Sequence, residues 1–115
     1  MAMILKTAQT ITGPTDNVYT SVYAVVDEVR IYKSKRRCEV LIYIYKDSAT
    51  KDLNDTRKAI DKIYGIFRDK GDDAAFSDFF STAALDASDL WAQAYLAMMA
   101  DDNIVDSTVW ESDEV

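Results

Sequence analysis

The chain has 115 residues, 49% hydrophobic and 29% charged, with a formal net charge of −7; this is the composition of one folded domain over 1–115 and not of a disordered segment. No apolar run approaches the ~20 residues that span a bilayer, and residues 1–11 lack the apolar core and cleavage site of a signal peptide, so synthesis in the cytoplasm and no membrane partner are expected. With no histidine and a single cysteine, Cys38, an internal disulfide is impossible and neither a metal nor a cofactor is expected.

Residues 3–12 (MILKTAQTIT) alternate weakly and suit an edge strand. Gly13-Pro14 stops it, and 12–17 (TGPTDN) is rich in turn formers. The run 18–45 is the most strongly patterned stretch of the chain. It reads VYTSVYAVVDEVRIY, then KSKRR, then CEVLIYIY, two Val/Ile/Tyr-rich arms about a basic knot, and predicts a long β-hairpin over 18–32 and 37–46. The second arm alternates cleanly, with Cys38, Val40, Ile42 and Ile44 on one face. Cys38 thereby reads as a buried small hydrophobe.

A four-residue loop at 33–36 sets Tyr32 against Arg37, Ile31 against Cys38, Arg30 against Glu39 and Val29 against Val40. Opposite charges then meet on one face and apolar groups on the other. In the first arm Val18, Val22, Ala24 and Val26 are even positions while Val29 and Ile31 are odd. The parity changes at Asp27-Glu28, where a β-bulge restores the apolar face. Adjacent carboxylates also allow acid–base chemistry, but a solvated bulge accounts for them. The tip, Lys33 to Arg37, is the only dense basic cluster. On a protein of net −7 it makes poor footing for nucleic acid, and it reads as a solvated turn or a dock for an acidic protein surface.

Residues 46–58 are polar and predict a connecting loop. Residues 59–68 (AIDKIYGIFR) support two readings. Ile60, Ile63, Tyr64 and Phe67 have helical spacing, whereas the Ile/Tyr content and Gly65 favour a strand. The strand is preferred, because a sheet opened by a long hairpin needs further strands. DKGDD at 69–73 is a turn; the twelfth position from Asp69 is Phe80, so a calcium loop is excluded. Residues 75–85 bring Phe76, Phe79 and Phe80 into the core, as a helical turn or a short strand.

A helix is expected over 89–100, capped by Ser88, with Trp91, Ala94, Tyr95 and Met98 as its buried stripe, broadened by Leu90, Ala97 and Met99. It ends at Asp101-Asp102-Asn103. In the tail, Trp110 packs back from a short terminal strand and 111–115 form an acidic extension open to disorder. The alternative leaves Trp110 exposed to dock on a neighbour. The fold class expected is α+β, an antiparallel sheet built on the hairpin with an N-terminal strand and the 89–100 helix packed on it.

Three stretches carry a resemblance: the opening ILKTAQTITGPTDNVYTSVY, the arm LIYIYKD and the helix segment WAQAYLAMM. In these the chain resembles the small structural proteins encoded among the virion genes of tailed bacteriophages. The resemblance covers about half of the chain, and the KSKRR tip and acidic tail lie outside it. It implies a virion component associated with the tail, baseplate or neck, acting by assembly without catalysis, with other virion proteins and copies of itself as partners.

Charge is uneven: residues 1–57 hold nine Lys and Arg against seven Asp and Glu, and residues 58–115 hold four against thirteen. The basic tip and the acidic half can meet head to tail between copies. The contact residues proposed on this ground are Lys33, Lys35, Arg36, Arg37 and Trp110, and the hairpin edge is available for pairing between subunits. No catalytic residue stands out. A different class of function is an acidic inhibitor that mimics nucleic acid, using Asp101, Asp102 and Asp106.

Overall fold

The computed structural model describes residues 2–6, 9–32, 34–70 and 73–113. It is a mixed α+β fold. Among the described residues eight strands run β1 (Ala2–Leu5), β2 (Ile11–Thr12), β3 (Val18–Tyr19), β4 (Tyr23–Tyr32), β5 (Arg37–Tyr45), β6 (Asp61–Lys70), β7 (Asp73–Ala74) and β8 (Trp110–Asp113). The same residues form helices α1 (Ser48–Asp52), α2 (Ala75–Phe80), α3 (Thr82–Ala87) and α4 (Leu90–Met99), with a 3-10 turn at Thr56–Lys58. The main sheet is antiparallel in the order β7-β6-β5-β4-β1-β8.

Strands β4 and β5 form its centre. Their register sets Tyr32 against Arg37, Arg30 against Glu39 and Val29 against Val40, and it slips between Val26 and Glu28. The slip is a β-bulge at Asp27. It returns Val29 to the face of Val26, Val40 and Ile42, so the apolar parity change is absorbed by one unpaired residue. Val26 donates its N–H to the Tyr95 hydroxyl of α4 at 2.8 Å, which satisfies a backbone group in the irregular stretch. Arg30 ion-pairs along its own strand with Glu28, while Glu39 takes Arg37. The cross-strand neighbours of opposite charge therefore choose other partners.

The first arm is shorter than the pattern predicts. Val18–Tyr19 pairs instead with Ile11–Thr12, as a separate two-stranded ribbon closed over Gly13 to Asn17. Gly13 donates to the Asn17 carbonyl at 2.9 Å, and Asp16 takes φ 64°, a left-handed conformation that suits Asp in a tight turn. The N-terminal strand is not an edge either. Met3 sits between Ala24 of β4 and Ser112 of β8, fully buried.

Residues 61–70 form a strand, pairing along β5 from Arg37↔Arg68 to Ile44↔Asp61. The mid-strand glycine has a packing reason. A Cβ on Gly65 would lie 2.5 Å from the Met98 sulfur of α4 and 3.1 Å from the Phe67 ring. The helix layer thus approaches the sheet where no side chain intervenes.

The 46–58 connection is not simply a loop. Asp47 accepts the Thr50 N–H at 2.7 Å and starts α1, and Asp55 accepts the Arg57 N–H and starts the 3-10 turn. Two short helices also precede the expected one. α2 turns Phe76 and Phe80 inward, with the Phe80 ring 5.8 Å from Phe67 and 6.2 Å from Phe76. Helix α4 is capped by Asp89, not Ser88. Its buried residues are Gln93, Ala94, Tyr95, Ala97 and Met98, whereas Trp91 is 50% exposed and lies off the stripe.

One core joins these layers: Met3, Val22, Ala24, Cys38, Val40, Ile42, Phe67, Tyr95, Met98, Val105 and Trp110 all belong to it. Burial pushes the Cys38 thiol up to about 12, so it stays protonated and inert at neutral pH. Among the described residues no helix is long and apolar enough to cross a membrane.

Candidate interaction surface

The core face of β4–β5–β6 is set by Cys38, Val40 and Ile42 with Phe67, Gly65 and Ile63 opposite them. Strand pleating sends the intervening residues to the other side. There the cross-strand rows read Tyr32–Arg37–Arg68, Arg30–Glu39–Ile66, Glu28–Leu41–Tyr64 and Val25–Tyr43–Lys62. Helix α1 packs against the lower end of this face, where Tyr45 is buried and the Lys51 ammonium lies 5.1 Å from the Tyr23 ring centre. Above it the face is open. Tyr64 is 52% exposed and Ile66 44%.

Glu39 is the centre of the open face. It accepts from Arg37 at 2.6 Å and from the Tyr32 hydroxyl at 3.2 Å. The Tyr64 hydroxyl, then Arg37 and Tyr32, hold its carboxyl below the usual carboxylate range. The same contact pushes the Tyr64 hydroxyl up. A carboxylate kept ionised by several donors is an acceptor and not a proton donor. Arg37 also stacks on Tyr32, 4.9 Å from the ring centre. A depression of about 290 Å³ lies among Glu28, Arg30, Glu39, Leu41, Lys62 and Tyr64. The whole is a pre-ordered patch of aromatic, aliphatic and paired charged groups. Such a patch suits recognition of another surface.

The residues singled out at the hairpin tip are less free than their charge suggests. Lys33 lies outside the described residues. Lys35 sits 5.9 Å from the Tyr32 ring centre. Arg36, at φ 48°, bonds Asp69 of β6 at 2.9–3.0 Å, contacts the Ser77 hydroxyl of α2, and lies 5.8 Å from the Phe76 ring centre. Arg37 is held by Glu39. The tip is therefore strapped to β6 and α2 and does not project as a separate arm.

Trp110 is 6% exposed within β8, opposite Leu5. Its indole belongs to the core and cannot dock on a neighbour without leaving it. The same strand includes Glu111, Ser112 and Asp113 paired to β1; residues 114–115 lie outside the described residues. The half-exposed tryptophan is Trp91.

The acids of the second half have local duties. Asp101 accepts the Asn103 N–H at 2.9 Å, Asp102 the Ser107 N–H at 3.4 Å, and Asp106 the Thr108 N–H at 2.9 Å. Turn chemistry accounts for their spacing. Asp27 is exposed at the bulge and Glu28 is paired with Arg30, so the adjacent carboxylates are not a working couple. Among the described residues no group of three or more His, Cys, Asp or Glu is placed to hold a metal ion.

In class the protein is an α+β domain whose antiparallel sheet is covered by helices on one side and partly open on the other. Comparison with protein-family models, curated proteins and solved structures gives no match.

Proposed function

We propose that the protein is a non-enzymatic assembly component, present in many copies in a tailed-phage virion, in its tail, baseplate or neck. Its partners are other virion proteins and copies of itself. The observation that supports assembly is the open sheet face, where Tyr64 and Ile66 are half exposed beside a charge network already ordered around Glu39. Fixed side chains lose little further entropy on binding, and a patch of that kind gains more from being covered than a solvated face does. The virion setting comes from the resemblance of the opening segment, the LIYIYKD arm and the WAQAYLAMM helix.

The test is sedimentation and light scattering of the purified protein, alone and with co-expressed neighbours in the genome, together with a search for the protein in purified particles. Oligomers or a stable complex are expected. Replacing Tyr64 and Ile66 by Ser should weaken them while leaving the circular dichroism spectrum unchanged. A strict monomer at high concentration that is absent from particles would overturn the reading.

A further inference from the structure

Among the described residues the central strands leave two long stretches with no neighbouring strand, and the chain treats them differently. Strand β1 reaches only Tyr23 and Ala24 of β4. Beyond that point β4 carries the Asp27 bulge, the Glu28–Arg30 ion pair, and a Val26 N–H already taken by Tyr95. Bulges and charges of this kind stop an edge from recruiting another strand. On the far side, β7 pairs only with Asp69 and Lys70 of β6. Among the described residues no strand lies outside β6 along residues 61–68. That edge has no bulge against β5 and no proline. Its middle, Ile63, Tyr64, Gly65, Ile66 and Phe67, carries no charge. One edge is guarded along its length; the other is guarded at its ends, where Arg68 stands and the Lys62 N–H goes to the Asp61 carboxylate at 2.8 Å, and is ready to pair over residues 63–67.

Phe67 of this edge strand also lies in a groove of about 270 Å³ on the helix side. Phe79 and Ala97 extend its apolar lining, and Asp78, Asp101 and Asp102 supply its charge. An apolar floor with carboxylates beside it suits the stem and head of a lysine or arginine. On the opposite face of the same strand, Tyr64 and Ile66 offer exposed apolar surface. We infer that β6 is a strand-addition site. It takes an extended segment of a partner protein in which basic side chains, directed to the groove, alternate with apolar ones directed to the open face. The net charge of −7 favours such a partner.

A second copy of this chain fits worse. The two-fold register centred on Gly65 opposes Lys62 to Arg68 and Asp61 to Asp69, like charges in each case, and it brings two acidic grooves together. This inference deepens the assembly reading by naming the partner's chemistry, but its test reads the edge itself. Failure to find the protein in virions would leave the edge untouched.

The probe is a capped peptide of about eight residues alternating valine and lysine, long enough to lie along residues 61–68. It is titrated into isotope-labelled full-length protein and followed by amide shifts and amide exchange. Slowed exchange is expected at β6 and not at β4. Affinity should fall at least about tenfold when glutamate replaces lysine, and by a similar factor in the Asp101→Asn/Asp102→Asn protein, where each turn keeps an acceptor. Alternate N-methylation of the peptide backbone should abolish binding. Should the double variant unfold, the lysine–glutamate comparison on the unaltered protein decides. Equal affinity for the two peptides, protection at β4, binding that survives N-methylation, or no binding would overturn the proposal. So would a β6-mediated dimer in the protein alone, which would make the occupant a second copy.

Discussion

The two faces of the central sheet are built from the same three strands and obey different rules. On the helix side Cys38, Val40 and Ile42 are completely buried, and α4 comes so close that position 65 has no room for a side chain. On the other side the same strands present Tyr64, Ile66, Leu41 and a network of charges, and the groups are ordered by hydrogen bonds instead of packing. A closely packed face resists change because each methylene removed leaves a void. A hydrogen-bonded open face is tolerant in stability and is the side on which selection for recognition can act.

Matched substitutions on the two faces give the largest contrast. Ile42→Ala should cost about 2–5 kcal/mol, the range for truncating a fully buried aliphatic chain. Ile66→Ala, the same change in the neighbouring strand, should cost about 0.5–1 kcal/mol or less, as at exposed strand positions. Urea unfolding of both proteins checks this. Similar losses would mean that the open face is covered in the isolated protein.

Tyr95→Phe tests the join between the helix layer and the bulge. The hydroxyl is the partner of the Val26 N–H in a buried site, and its removal leaves that donor unsatisfied at a cost of about 1–3 kcal/mol. Exchange of the Val26 amide should accelerate before global unfolding. An unchanged rate would show that the hydroxyl does not protect this amide, and that the bulge is held by the sheet alone.

Much of the covered face was legible in the sequence. The alternation of Cys38, Val40, Ile42 and Ile44 has one partner phase that matches it, and the parity change at Asp27-Glu28 has one cheap remedy. Patterns of period two carry this information locally. The rest depended on contacts between distant residues. Gly65 in a strand makes sense only once Met98, thirty-odd residues later, is known to lie on it. Helix α1 has five residues and a single cap, too little periodicity to stand out from a polar loop. Trp91 falls off the buried stripe because the i, i+3, i+4 pattern fits two neighbouring phases. The helix turns Gln93 inward instead, bonded to the Ala84 carbonyl at 3.4 Å, while Ala97 is buried as the broadened stripe expects. Arg36 reads as a free tip cation in the sequence because its partners, Asp69 and Ser77, lie far along the chain. The strand at 59–68 is legible in its composition, but its pairing beside β5, which makes the open face a surface, is not.

The smallest effect concerns that strap between tip, β6 and α2. Asp69 accepts both the backbone N–H and the hydroxyl of Ser77, and these, ahead of Arg36, hold its carboxyl below the ordinary value of 3.8. A carboxyl whose folded value is depressed contributes stability that is fully present above its unfolded value. That contribution is lost as pH falls through the folded value. The strap should therefore be intact at neutral pH and weaken only below about pH 4. Ser77→Ala removes the larger cause and Arg36→Gln a lesser one. The difference in stability between the unaltered protein and Ser77→Ala should thus exceed that for Arg36→Gln at pH 7, and both should shrink as the pH is lowered toward 2. Thermal unfolding of the three proteins across that range is the check. The reverse order would make the Arg36 guanidinium the main anchor of the tip. Lys35→Glu, which breaks no bond of the strap, should then cost less than Arg36→Gln. In either order the tip is a structural corner bonded through Arg36 to β6 and α2, which leaves the open face and the β6 edge as the surfaces proposed for recognition.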